Sequence, residues 1–352
     1  MSGLLYVPVL PTRPHAAAAY SRLRPDVQSA LAPVWNLPPR PGLPPAELAA
    51  KVRRDVATVS KAHRYSPAWL DAPFAGAEDV SVLTKLIPEA SAFGLLRPVT
   101  GPGRPEALQA VAMEAARRAG DGLGIRVCVP GEWDGRTVDD VRHLLERADP
   151  LVRVDLLLDL GAVKEGRPDA GKEALRALDA LVPLAPWRTV AVLNGGFPEV
   201  TTDMLDQGLR EFPRADRQVW HEIGDSGRAY RGLLTYGDYG VQSPTAISRP
   251  PGSGGGGPSW GFLRYTLDGA FVLGRMLATG DGKTAHNRAT AREFLAHPGF
   301  RGPAFSSGEG WLSDCAQALG RGGTGNFGTW LWVGNVQHMT YAVRYLTSTS
   351  SR

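Results

Sequence analysis

Eight short apolar runs recur along the 352 residues, and most are followed by a stretch of helical character. They are Leu5–Leu10, Pro33–Leu37, Ala68–Pro73, Leu95–Thr100, Ile125–Val129, Val152–Leu160, Thr189–Asn194 and Gly232–Tyr239. Continuous apolar runs of this length suit strands covered on both faces, as in a parallel sheet. Strand–helix alternation supplies the crossover connections that parallel strands need. Eight such units within roughly 250 residues match a closed (β/α)8 TIM-type barrel of the α/β class. That constrains function as well, because such barrels carry their working residues at the C-terminal ends of their strands.

The intervening segments read as helices over Ala16–Leu31, Ala46–Lys61, Ala77–Ala90, Pro105–Ala119, Thr137–Ala148, Ala170–Leu181 and Thr201–Phe212. Pro25 breaks or kinks the first. The expected layout is one barrel domain over residues 1–346 with additions after the eighth strand. Residues 1–244 hold the strand–helix units, 245–260 a flexible Gly-rich loop, 261–276 a β-hairpin and 284–346 the last helices. The hairpin is signalled by Leu267-Asp268-Gly269 between apolar alternations. Helices are expected near Ala285–Ala296, Trp311–Leu319 and Gly334–Leu346.

The formal net charge of +4 is mild and spread along the chain, with no basic run that would mark a nucleic-acid face. Two cysteines, Cys128 and Cys315, form no CxxC, which argues against structural zinc. No charged n-region precedes an apolar stretch at the start, and no run of about 18 apolar residues occurs anywhere. The expectation is a soluble cytoplasmic protein without a membrane partner. No GxGxxG after a strand, GxxxxGK[ST] or GxSxG is present, and the seven histidines form no HxH or HExxH.

Strand-end polar residues are therefore the candidates. Asp71, Asp159 and Asp238 end strands three, six and eight and form the candidate catalytic set. Converging carboxylates do acid–base work or hold Mg²⁺ through oxygen. Arg13, Asn36, Arg126, Asn194, Tyr236 and Tyr239, with Arg264 and Arg275 of the hairpin, are the candidate ligand-binding set. Guanidinium groups bind phosphate or carboxylate bidentately. Bland readings stand beside these. Asp71 suits a cap, Asp155 suits an internal ion pair with Arg126, and His338 suits a satisfied buried histidine. Trp330 and Trp332 suit helix packing.

Four groups of residues carry a family resemblance. They are Tyr6-Val7-Pro8-Val9-Leu10, then Gly237-Asp238-Tyr239-Gly240-Val241-Gln242-Ser243-Pro244, then Leu263-Arg264-Tyr265-Thr266 facing Leu273-Gly274-Arg275. The last is Gly325-Asn326, Trp330 and Gln337-His338. Through them the chain resembles, over nearly its whole length, the beta protein family, named for a T-even bacteriophage beta protein and known in bacteria as beta family proteins. Members usually show two histidines near the last helix, where this chain has Gln337-His338. The resemblance implies a setting in phage–host conflict, including antiviral defence, and implies no mechanism. Two expectations follow. One is a barrel that binds or hydrolyses a phosphate-bearing ligand, a nucleotide or nucleic acid, at its mouth. The other is a non-catalytic interaction or immunity protein acting on a protein partner through the hairpin, the Gly-rich loop and the last helices. Whether the chain is an enzyme stays open at this point.

Overall fold

A computed structural model describes residues 3–63, 66–93, 96–163, 167–199, 208–250, 259–319 and 323–350. Its first strands are β1 (Tyr6–Pro11), β2 (Val34–Asn36), β3 (Ala68–Asp71) and β4 (Leu96–Thr100). They are followed by β5 (Leu123–Cys128), β6 (Val154–Ala162) and β7 (Thr189–Gly195). Next come β8 (Leu209–Pro213), β9 (Leu234–Asp238), β10 (Trp260–Thr266) and β11 (Ala270–Leu277). β1 to β7 and β9 close into an eight-stranded barrel, every pairing parallel, with β9 hydrogen-bonded to both β7 and β1. The eight apolar runs are those eight strands. β8, β10 and β11 form a separate antiparallel sheet in the order β10-β11-β8.

Both faces of the barrel strands are buried, and parity separates them. Val7, Val9, Val34, Trp69, Val99, Leu157, Ala191 and Leu193 point inward and fill the barrel. Tyr6, Leu10, Trp35, Leu70 and Leu96, like Ile125, Leu156, Leu158, Val190 and Val192, point outward under the helices. Gly124 is small for a reason: a Cβ there would lie 2.9 Å from the Trp69 ring.

The last helix, Phe327–Ser350, belongs to both cores. Trp330 and Val333 pack with Leu263, Tyr265 and Phe294 of the small sheet and its helices. Val336, Met339, Ala342 and Val343 pack with Tyr6 and Tyr20 of the barrel. None of the described helices is long and apolar enough to cross a membrane.

Some expectations are corrected. The first expected helix is two, Pro14–Ser21 and Pro25–Gln28, each with proline in its first turn. The helix expected over Thr201–Phe212 lies outside the described residues up to 207, and its remainder is β8, an edge strand paired with β11. The Gly-rich stretch 251–258 lies outside the described residues. The helix Ala215–Gly224 had not been expected. The hairpin forms where Asp268-Gly269 predicts it, with Thr266 opposite Phe271.

Candidate functional site

Inward parity carries Asn36, Asp71, Arg126 and Asp159 from the C-terminal ends of β2, β3, β5 and β6 to the barrel mouth. Arg126 is their hub. Its Nε and Nη2 donate to Asp159 Oδ2 at 3.0 and 2.7 Å, and its Nη1 donates to Asp71 Oδ2 at 2.7 Å and Asn36 Oδ1 at 3.0 Å. Nη2 also donates to the Tyr239 hydroxyl at 2.8 Å. Burial works against this charge. Asp159, Tyr239 and Asp71 outweigh it and hold the guanidinium well above its ordinary value.

Both carboxylates are fully engaged. Asp71 takes Arg104 Nη2 on both oxygens at 3.0 Å. Asp159 also takes the Tyr239 hydroxyl and the Gly161 N–H. This floor opens on a chamber of about 360 Å³ whose walls include Phe74, Arg104, Cys128, Tyr239, Thr245 and Ser248. Cys128 keeps an exposed edge, but desolvation of its sulfur in the chamber wall and the neighbouring Asp159 push the thiol up to about 11, which keeps it protonated and slow as a nucleophile.

Asp238 is elsewhere. It has outward parity with Tyr236, whereas Tyr239 turns inward. Its carboxylate takes the Tyr6 hydroxyl at 2.5 Å, the Tyr236 hydroxyl at 2.9 Å, the Gly240 N–H at 2.8 Å and His338 Nε2 at 2.8 Å. Arg214 lies 3.8 Å away and pairs with Asp216 at 2.6 Å. Burial alone would raise the Asp238 carboxyl, but His338, Arg214 and Tyr6 hold it at about 2. The other ring nitrogen of His338 is 2.9 Å from the Thr266 hydroxyl, and Gln337 clasps the Thr266 N–H and C=O at 2.8 and 2.9 Å. The Gln337-His338 pair thus bolts the hairpin to the barrel, and the satisfied-histidine reading holds.

The expected convergence of three aspartates is therefore corrected: Asp71 and Asp159 share a mouth, and Asp238 faces the opposite side of the barrel wall. Among the described residues no three His, Cys, Asp or Glu side chains gather as a metal set. Asp155 is also corrected. It pairs with Arg188 Nε at 2.8 Å and accepts the Trp69 indole N–H at 3.0 Å, rather than meeting Arg126. The cap expected of Asp71 is replaced by its two arginine contacts. Tyr236 is buried in the Asp216–Asp238 network, and Asn194, also outward, is fully buried beside Asp238 in register.

Across the segment after β9 lies a second cavity, of about 290 Å³. Phe197, Pro198 and Glu199, following β7, line one side. Gln242, Ser243, Ala246 and Arg249, following β9, line another, and Trp260, Phe262 and Arg264 of the hairpin close it. The short helix Pro244–Ile247 separates chamber from cleft, held by Arg13 Nη2 on the Arg249 carbonyl at 2.7 Å. Arg264 is largely buried, yet no described carboxylate lies in ion-pair range of it. Its Nη1 donates to the Phe262 carbonyl at 3.0 Å, its Nε has no hydrogen-bond partner among the described residues, and its guanidinium lies 5.5 Å from the Phe197 ring centre. Desolvation without a counter-charge lowers it to about 10. Arg13 and Arg275 line neither cavity, and Arg275 instead sits 5.6 Å over the Trp260 ring.

Arg104, Gln242, Arg249 and the aromatic wall were not among the sequence candidates. Arg104 had a signal, since Gly101-Pro102-Gly103 ends strand four at the same mouth. Gln242 had one too, since it lies in the Gly237–Pro244 motif, but Arg249 and the aromatic wall had none, because four separate chain segments build the cleft.

Among solved structures, the chain is similar to mutant forms of the tryptophan synthase alpha-subunit from the hyperthermophile Pyrococcus furiosus. One is 14% identical over 67% of this chain and 87% of that one, with a TM-score of 0.41. Another is 13% identical with the same coverage and a TM-score of 0.43. No curated protein matches the chain. The family model described as Beta protein matches residues 6–344, so the chain belongs to the Beta protein family.

Proposed function

We propose that this Beta protein family member binds a phosphate-bearing ligand at the C-terminal mouth of its barrel, in the cleft around Arg264, and does not hydrolyse it through an aspartate set. The observation that carries the reading is a guanidinium facing a cavity with no carboxylate partner among the described residues. A buried charge without a partner is costly, and an anionic ligand removes that cost. The position agrees with the habit of the fold, where phosphates sit between the loops after strands seven and eight. At the start of the short helix, Ser243 Oγ accepts the Ala246 N–H, and Pro244 has none to give. Arg264 and Arg249 supply positive charge, with Glu199 the one carboxylate among the described lining residues.

Binding is favoured over hydrolysis because Asp71 and Asp159 are spent on Arg104, Arg126 and Tyr239, so neither of these carboxylates is free to act as a base. The family resemblance supports phage–host conflict as the setting. Thermal-shift titration with ribose 5-phosphate is expected to raise the melting temperature of the wild type and not that of Arg264→Gln. An equal shift in both would remove Arg264 as the anchor, and no shift in either would end the reading.

A further inference from the structure

The cleft is larger than a phosphate group requires, and much of its remaining wall is aromatic. Phe197, Trp260, Phe262 and Phe327 border it, with Leu331 and Ala246 filling between them. These rings also contact aromatic neighbours. Trp260 meets Phe262 edge-on at 5.1 Å and carries Arg275 over it, Phe197 meets Phe271 at 5.1 Å, and Phe327 meets Trp330 at 5.4 Å. An aromatic wall beside a guanidinium with no carboxylate partner among the described residues suits a ligand with a planar ring at one end and a negative charge at the other.

Gln242 adds a polar feature to the same wall. Its Oε1 lies 3.4 Å from His15 Nε2, and burial keeps His15 neutral by lowering it to about 4. With the oxygen turned to His15, the amide N–H groups are left to offer to an acceptor on a ring edge. The volume, about 290 Å³, lies at the small end of ligand pockets, which run from roughly 300 to 1,000 Å³. It has room for one small ligand and not for a strand.

From these observations we infer that the ligand is a free nucleoside monophosphate, its phosphate on Arg264 and its base against Trp260 and Phe262 with Gln242 at its edge. This rests on the phosphate reading above and is separable from it.

The test is calorimetric titration of the intact protein with ribose 5-phosphate, the four common ribonucleoside monophosphates and a hexanucleotide. Wild type, Arg264→Gln and Trp260→Leu are compared, each checked for an unchanged melting profile. At least one monophosphate is expected to bind about tenfold or more tightly than ribose 5-phosphate, the gain typical of one stacked base. Trp260→Leu should erase that gain and leave ribose 5-phosphate binding alone. If ribose 5-phosphate binds through Arg264 but no base adds affinity, or Trp260→Leu leaves the gain intact, the nucleotide assignment falls and the phosphate reading stands. A hexanucleotide that outcompetes every monophosphate overturns it in favour of a strand. Loss of all binding in the wild type overturns both.

Discussion

Nε2 of His63 accepts the Trp35 indole N–H at 2.7 Å, so the ring's own proton sits on Nδ1, 3.2 Å from the Ser66 carbonyl. Burial lowers this histidine to about 4, against an unfolded value near 6.5. Between those values the unfolded chain binds more protons than the folded one. Stability is therefore full above pH 6.5 and declines as pH falls toward 4, by about 3 kcal/mol from this group at most. Urea midpoints measured from pH 7 to pH 4, with the His63 ring followed by NMR, should show the decline while the folded ring stays neutral. A His63 that charges near pH 6.5 in the folded state would contradict the assignment. At this scale the sequence placed the polar residues at strand ends but not their facing. Asp238 and Tyr239 are adjacent and point to opposite sides of the wall. Both faces of a barrel strand are apolar, so no polar alternation reveals which parity looks inward.

Glycines at the ends of elements differ sharply in what they tolerate. At Gly101, just past β4, a Cβ would fall 2.2 Å from the Arg126 carbonyl oxygen, whereas at Gly131 it would meet nothing within 4 Å. Gly101→Ala is expected to cost roughly 1–3 kcal/mol as the backbone yields beneath Arg126. Gly131→Ala should stay within about 0.5 kcal/mol. Chemical denaturation of the two variants tests this, and equal stabilities would refute it. β8 shows why one element was misread. In the sequence, Leu205, Leu209 and Phe212 are spaced like one face of a helix. In the fold, Leu209 and Phe212 lie in a five-residue edge strand whose partner, β11, is some sixty residues further on. Local spacing cannot report a pairing that distant.

For the whole molecule, the last helix is the joint. Its N-terminal half completes the core of the small sheet, its C-terminal half completes the barrel's outer layer, and His338 links Thr266 to Asp238 between them. His338→Leu would strand the Thr266 hydroxyl and weaken the network around Asp238, at a cost of about 2–4 kcal/mol. Wild type should unfold in one transition seen alike by far-UV circular dichroism and tryptophan fluorescence. Two separated transitions in the wild type would show that barrel and small sheet are independent units.

Eight apolar runs alternating with helices are a local property, so the sequence by itself determined the barrel, its strand count and the place of the hairpin. The site is not local. Arg126 gathers partners from β2, β3, β6 and the turn after β9, and the Arg264 cleft joins four separate segments between Phe197 and Leu331. Which charges neutralise one another, and which guanidinium is left facing a cavity, depends on side-chain parity and on where the added sheet docks. Those are decided by closing the barrel and packing the last helix across it, so only the tertiary structure could decide them.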